Sequence, residues 1–222
     1  MAKNILSPSI LAADFLNLGK QIKQLDEVGV EYIHIDIMDG DFVPEISFAN
    51  PIISAIRPIT DIFFDVHLML SHPLKQIDSY VRDGAQLITI HVEALDDIDE
   101  TLDKIHSLGI VAGISIKPDT SVEAILPYLD KVELILVMSV EPGFAGQGFI
   151  ESSLDKIREI RKIIDTRGLD IDLEVDGGIK IENVEKVLEA GANVIVVGSG
   201  LFAGDVEVNS TKLMKILKDK EE

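Results

Sequence analysis

Tyr32-Ile33-His34-Ile35-Asp36-Ile37-Met38-Asp39-Gly40 is the stretch on which the fold of this chain turns. It is too apolar and β-branched for a surface loop, and too short before Asp39-Gly40 for a helix. It therefore reads as a buried strand running into a turn. Side chains alternate across a strand, which puts Ile33, Ile35 and Ile37 on one face and His34, Asp36 and Met38 on the other. A His and an Asp pointing the same way from a buried strand need partners, because an unpaired buried charge is too costly to keep.

Outward from this strand, strand-like and helix-like segments alternate. Strands are expected over Ile5 to Ile10, Phe63 to Met69, Leu87 to Val92, Val111 to Ile116, Leu134 to Val140, Ile171 to Asp176 and Val194 to Val197. Pro8 is tolerable in the first of these only at its end or at a distortion. Between them the spacing predicts a helix capped by Asp14 and carrying Phe15, Leu18, Ile22 and Leu25. It also predicts helices near Pro51 to Arg57, from Pro73, before Gly109, from about Ser121, from Glu151 to Arg167, from Glu182 to Ala190 and before the charged tail. Gly29, Gly84, Gly109, Gly168 and Gly191 recur as helix endings ahead of the next strand. Strict alternation implies a parallel sheet, and eight βα units imply one α/β domain over residues 1–222, a (β/α)8 TIM barrel with apolar layers in the middle of its interior. A doubly wound sheet would need a Gly-rich dinucleotide turn after an early strand, and none is present.

Composition narrows the function classes. At 222 residues the chain suits one barrel-sized domain, with no linker or low-complexity tract. No apolar run reaches membrane-spanning length, and the N-terminus lacks the pattern of a signal peptide. The absence of Cys excludes disulfides and thiolate metal sites and suits the cytoplasm. A formal net charge of −19 argues against nucleic acid or an anionic membrane as partner, and requires that any anionic substrate be held by local positive features.

Barrel active sites form where strands end and βα loops begin. The period-2 rule turns Ser7 and Ser9 inward on the first strand, His34, Asp36 and Met38 on the second, and Asp65, His67 and Met69 on the third. It does the same for His91, Met138, Glu174 and Asp176 on later strands. For His91 alone, a hydrogen-bonded core role is the expectation. His34, Asp36, His67 and Asp176 together must neutralise one another or share a cation. Two imidazoles and two carboxylates suit one divalent ion of Zn²⁺, Mn²⁺, Fe²⁺ or Co²⁺, with a metal-free network of ion pairs as the rival. Gly143-Phe144-Ala145-Gly146, Asp176-Gly177-Gly178 and Gly198-Ser199-Gly200 follow strands six, seven and eight. Their glycines let backbone N–H groups approach an anion, and barrel enzymes often hold phosphate after strands seven and eight.

Ser7-Pro8-Ser9-Ile10-Leu11-Ala12-Ala13-Asp14, His34 to Gly40, Asp65-Val66-His67-Leu68-Met69, Met138 to Phe144, Glu174 to Gly178 and Gly198-Ser199 together resemble the ribulose-phosphate 3-epimerase family. The resemblance covers nearly the whole chain in order and implies a ribulose-phosphate-binding barrel. It implies that His34, Asp36, His67 and Asp176 bind one divalent metal and that Asp36 and Asp176 are the acid–base carboxylates. Ser9 and His67 would contact substrate, as would Met38, Met69 and Met138 around the reacting carbons and the backbone of the glycine loops around phosphate. The partner would be a ketose phosphate, and a cytoplasmic homo-oligomer is the expected state. Two carboxylates on opposite sides of a planar enediolate can remove a proton from one face and return it to the other.

Departures from the family pattern lie in the loops: Asp41, Glu45 and Ala49 after strand two, Lys117 before Pro118, Glu141 before Pro142, and Ala145 where a Gly is usual. The last is shared with related allulose-6-phosphate 3-epimerases, so a hexulose phosphate is the alternative substrate. A decarboxylase of the orotidine-phosphate group would need Asp-x-Lys-x-x-Asp on strand three, where this chain reads Asp65-Val66-His67-Leu68-Met69-Leu70. A non-catalytic sugar-phosphate binder would have no reason to keep His34, Asp36, His67 and Asp176.

Overall fold

In the computed structural model, which describes residues 3–144 and 146–221, the strands are β1 (Ile5–Pro8), β2 (Tyr32–Met38), β3 (Phe63–Met69), β4 (Leu87–His91), β5 (Val111–Ile116), β6 (Leu134–Met138), β7 (Asp172–Asp176) and β8 (Val194–Val197). All pair in parallel, in the order β1-β8-β7-β6-β5-β4-β3-β2. A parallel bridge between Ser9 and His34 brings the two end strands together and all but closes the barrel.

The helices around it are α1 (Leu18–Val28), α2 (Asn50–Ile56), α3 (Ile77–Arg82), α4 (Ile98–Ser107), α5 (Ser153–Arg167), α6 (Val184–Glu189), α7 (Ser199–Phe202) and α8 (Val206–Asp219). Outward strand residues such as Ile33, Ile35, Ile88, Ile90, Ile135 and Val137 pack with inward helix residues such as Ile22, Leu25, Ile105, Ile157 and Leu213 in one buried cluster. A truncation such as Ile35→Ala within it removes about 2–5 kcal/mol. Helices α1 and α5 end on Gly29 and Gly168 in the left-handed conformation.

Several boundaries differ from expectation, each for a local reason. Pro8 is the last residue of β1, where its missing N–H breaks no further rung. Helix α1 begins after Asn17; Asp14 instead accepts from the Leu16 N–H and the Asn17 amide in the preceding turn, and Phe15 is 45% exposed against Phe48. The segment after β5 forms 3-10 turns over Val122–Ala124 and Leu126–Lys131 rather than a helix. Pro127 lacks the N–H that an α-helix would need there, and its ring would crowd the carbonyl of residue 123.

The largest correction concerns the barrel interior. Its N-terminal end is apolar, with Ile5, Leu87, Leu134, Leu136 and Val194 in one cluster that runs on to Met138 and Val140. The next layer holds Ser7, His34, Asp65, Thr89 and Glu174, all with no accessible surface. The polar interior therefore begins one layer deeper than the strand-end rule alone suggests.

Candidate active site

Strand β2 positions the site. Its register sets His34 beside Asp65 and Asp36 beside His67 on β3, while Met138 on β6 lies beside Asp176 on β7. His34, Asp36 and His67 are buried, and Asp176 is partly open to a cavity above them. One donor atom from each of these four residues lies within 4.8 Å of the others.

Asp36 is the hub of the cluster. Its Oδ2 accepts from the Ser9 hydroxyl at 2.6 Å, and its Oδ1 lies 3.3 Å from His34 Nε2 and 3.2 Å from His67 Nδ1. Burial alone would raise the Asp36 carboxyl, but His34 and then His67 outweigh it and hold it ionised. Asp176 goes the other way: burial first, and the Asp36 charge second, push it up to about 7. Two carboxylates beside one cavity are thereby driven apart in proton affinity. His34 feels burial as a downward pull, yet Asp65 and Asp36 raise it well above the ordinary histidine range, whereas burial lowers His67.

These residues fit a divalent ion. The buried His34 Nε2 has no hydrogen-bond partner, although Asp36 Oδ1 is close by. Four donors of mixed nitrogen and oxygen character, two of them carboxylates, offer the charge and softness that Zn²⁺, Mn²⁺, Fe²⁺ or Co²⁺ accept.

Above the cluster lies an open cavity. Asp36 and Asp176 line it, with Ser9, Met38, Met69 and Met138 around them. Gly143, Phe144 and Gly146 border one side; Gly177, Gly178, Gly198 and Ser199 border another. Gly177 has φ +122, and a Cβ there would sit 2.5 Å from the Val140 side chain, so only glycine lets this backbone edge the cavity. His34 and His67 lie beneath the floor rather than in the lining, so a substrate meets Asp36 and Asp176 first. Ala145 falls outside the described residues.

Two acids stand closer to this chemistry than strand periodicity alone places them. Asp65 and Glu174, which alternation turns inward, meet His34 from below at 2.6 Å and 3.5 Å from its Nδ1. Glu93 has no place in the strand pattern, yet its Oε2 lies 3.0 Å from Nδ1 of buried His91, whose Nε2 is 2.9 Å from His67 Nε2. One signal for it does exist: His91-x-Glu93 repeats the spacing of His34-x-Asp36. The core role expected for His91 holds. Lys117 sets its Nζ 3.9 Å from the centroid of the Phe42 ring, which in turn packs 4.8 Å from His91.

The sequence matches the family model described as "Ribulose-phosphate 3 epimerase family" over residues 5–202. The chain belongs to the ribulose-phosphate 3-epimerase family. A relative named ribulose-phosphate 3-epimerase from Synechocystis is 49% identical over 205 residues, 91% of this chain and 89% of that protein. The Bacillus subtilis protein of the same name is 43% identical and covers 89% of this chain and 91% of its own length. Among solved structures, KGPDC from Streptococcus mutans superposes with a TM-score of 0.72 at 13% identity, covering 100% of each chain. At that identity the likeness shows the barrel alone. The cluster's four residues come from β2, β3 and β7, three of the strands that carry the epimerase-family signature in this chain.

Proposed function

We propose that this chain interconverts D-ribulose 5-phosphate and D-xylulose 5-phosphate by moving the C3 proton from one face of the sugar to the other. It is an isomerase of the carbohydrate epimerase class. The observation that carries the reading is the pair of carboxylates, Asp36 and Asp176, converging on one cavity floor with opposite proton affinities. An ionised Asp36 can take a proton from carbon while a protonated Asp176 delivers one to the opposite face, and the roles exchange in the reverse direction. Ser9 fixes the rotamer of Asp36 through its 2.6 Å hydrogen bond. Met38, Met69 and Met138 present apolar, polarizable walls that keep water from a carbanion-like centre. The backbone at Gly143, Gly146, Gly177, Gly178, Gly198 and Ser199 borders the end of the cavity where the phosphate binds.

His34, Asp36, His67 and Asp176 would hold one divalent ion, Zn²⁺, Mn²⁺, Fe²⁺ or Co²⁺. When bound, such an ion supplies positive charge beside the two oxygens of the developing enediolate. The pentulose substrate is preferred because the relatives described above carry ribulose-phosphate names. Residues 1–222 are taken as one barrel domain, and a cytoplasmic homo-oligomer goes with the same reading; no helix among the described residues is long and apolar enough to cross a membrane.

The test is turnover of ribulose 5-phosphate in D₂O by protein whose metal content has been measured. The expected product carries deuterium at C3, with activity lost on chelation and restored by Zn²⁺, Mn²⁺, Fe²⁺ or Co²⁺. Full activity in metal-free protein, or product without deuterium, overturns the reading.

A further inference from the structure

We propose that Glu93 and His91 form a hydrogen-bonded relay that fixes the tautomer of His67, so that His67 Nδ1 meets the metal as a bare lone pair. The inference rests on the metal reading above and adds two positioning residues that touch neither metal nor substrate.

The relay is read from its outer end. Glu93 Oε1 accepts from the Lys117 backbone N–H at 2.8 Å and from the Thr120 hydroxyl. Its Oε2 lies 3.0 Å from His91 Nδ1. Glu93 is ionised, since hydrogen bonds from His91, Thr120 and Lys117 outweigh its partial burial and draw its carboxyl down to about 2. An ionised carboxylate only accepts, so His91 carries its proton on Nδ1. His91 is fully buried, and a neutral imidazole that donates through Nδ1 presents its Nε2 as an acceptor. That atom is 2.9 Å from His67 Nε2, so His67 must donate there. A neutral His67 then has no proton on Nδ1, the atom 3.2 Å from Asp36 Oδ1.

The opposite order of protons is the only other neutral arrangement. It would let His67 Nδ1–H donate to Asp36, but it would set a bare His91 Nδ1 against the Glu93 carboxylate. Each order thus contains one pair of facing acceptors. In the proposed order that pair lies at the floor of the open cavity, where a cation resolves it. In the reverse order it lies beside Phe42, where the Lys117 N–H and Thr120 hydroxyl are already given to Glu93 Oε1 and the Lys117 ammonium sits over the Phe42 ring. Outer partners that orient a metal-bound histidine typically change metal affinity by about 10–100-fold.

Glu93→Gln tests the relay sharply. The Lys117 N–H and Thr120 hydroxyl both need an acceptor, so the glutamine amide oxygen stays with them and its NH₂ group turns to His91 Nδ1. That forces the proton of His91 onto Nε2 and the proton of His67 onto Nδ1. Long-range ¹H–¹⁵N correlation spectra of metal-free, histidine-labelled protein should show His67 protonated at Nε2 in the wild type and at Nδ1 in Glu93→Gln. Cobalt affinity, measured by chelator competition, should fall about 10–100-fold in the variant. A wild type whose His67 carries its proton on Nδ1 overturns the relay without any variant, which covers a Glu93→Gln protein that does not fold. An unchanged tautomer and unchanged cobalt affinity in folded Glu93→Gln overturn it as well. If the wild type binds no cobalt at all, the metal reading itself fails, and the relay's purpose with it.

Discussion

Two acidic clusters share His34, and only one of them opens on a cavity. Above the ring, His34, Asp36, His67 and Asp176 bring four potential ligands together at the floor of an open cavity. Below it, His34, Asp65 and Glu174 also satisfy the distances a metal needs, and all three are sealed from solvent. Donor count does not separate them, and neither does hydrogen bonding alone, since Asp65 Oδ1 and both Glu174 oxygens lack partners below the ring as His34 Nε2 does above it. Access does, and below the ring His34 Nδ1 is already taken. Asp65 Oδ2 takes His34 Nδ1 at 2.6 Å and the Ser7 hydroxyl at 3.1 Å. Burial first, and the Asp65 charge second, push Glu174 far above the ordinary carboxyl range, so it stays protonated rather than offering a second anion. The upper cluster leaves His34 Nε2 without a hydrogen-bond partner. A metal needs the second arrangement, and the first serves to aim it, because a proton held on Nδ1 by Asp65 orients Nε2 upward.

The largest effect expected from this division is on catalysis. Asp36→Asn or Asp176→Asn should lower kcat/KM by at least about 10²–10⁴-fold, the usual worth of a general acid–base group, with the metal content falling beside it. Thermal melting should show the barrel intact. A folded variant with near-normal kcat/KM would clear that residue and move the chemistry elsewhere in the cavity.

Breaking the lower cluster should cost stability first. Asp65→Asn removes the anion that balances a buried, raised His34, and removing one partner of such a pair costs about 3–5 kcal/mol. Urea unfolding in the presence of a chelator measures this without a contribution from metal. An Asp65→Asn protein as stable as the wild type would mean that Asp36 alone balances His34.

A third effect, read by pH, concerns His91, which backs the upper cluster through His67. Desolvation holds His91 at about 4 in the folded chain, against about 6.5 unfolded. A histidine with a depressed folded value contributes stability that is present above the unfolded value and lost as pH falls through the folded one. Metal-free protein should therefore lose about 3 kcal/mol from this group between pH 6.5 and 4. In His91→Leu that part of the slope should vanish, even though the variant is less stable at neutral pH. Parallel slopes for the two proteins, by urea titration at successive pH values, would show that His91 is not buried as a neutral ring.

Much of this architecture is legible in the sequence alone. Period-2 alternation from Tyr32 to Met38 turns His34 and Asp36 to one side, and the order of strands and glycine-ended helices sets them in a barrel. What escapes is depth and pairing. Alternation turns Asp65 and Glu174 inward but cannot say that they meet beneath His34, because register between strands decides which layer a residue joins. The apolar middle expected of a barrel misleads for the same reason. Pro127 is readable as a helix breaker, yet the apolar spacing around it suggests a helix. Glu93 escapes because it lies in the loop after β4, where chain geometry rather than periodicity aims it back at His91.

The smallest expected effect is also the one that best defines the lower cluster. If Glu174 is protonated in the folded chain, Glu174→Gln replaces a neutral acid by a neutral amide of the same shape. Near pH 5 the change in stability should stay under about 1 kcal/mol, roughly the worth of one hydrogen bond rearranged. The sign of its pH dependence follows from the raised carboxyl. A group with a raised folded value contributes stability that is complete below its unfolded value and is lost as pH rises towards the folded one, because the unfolded chain releases the proton first. The wild type should therefore lose ground to Glu174→Gln as pH climbs from about 4.5, by up to about 1.4 kcal/mol per unit. Urea titrations of the two metal-free proteins at pH 5, 6 and 7 read that difference directly. A gap that stays constant, or that closes, would mean that Glu174 is ionised beside Asp65, and the lower cluster would then carry the two anions of a second metal site.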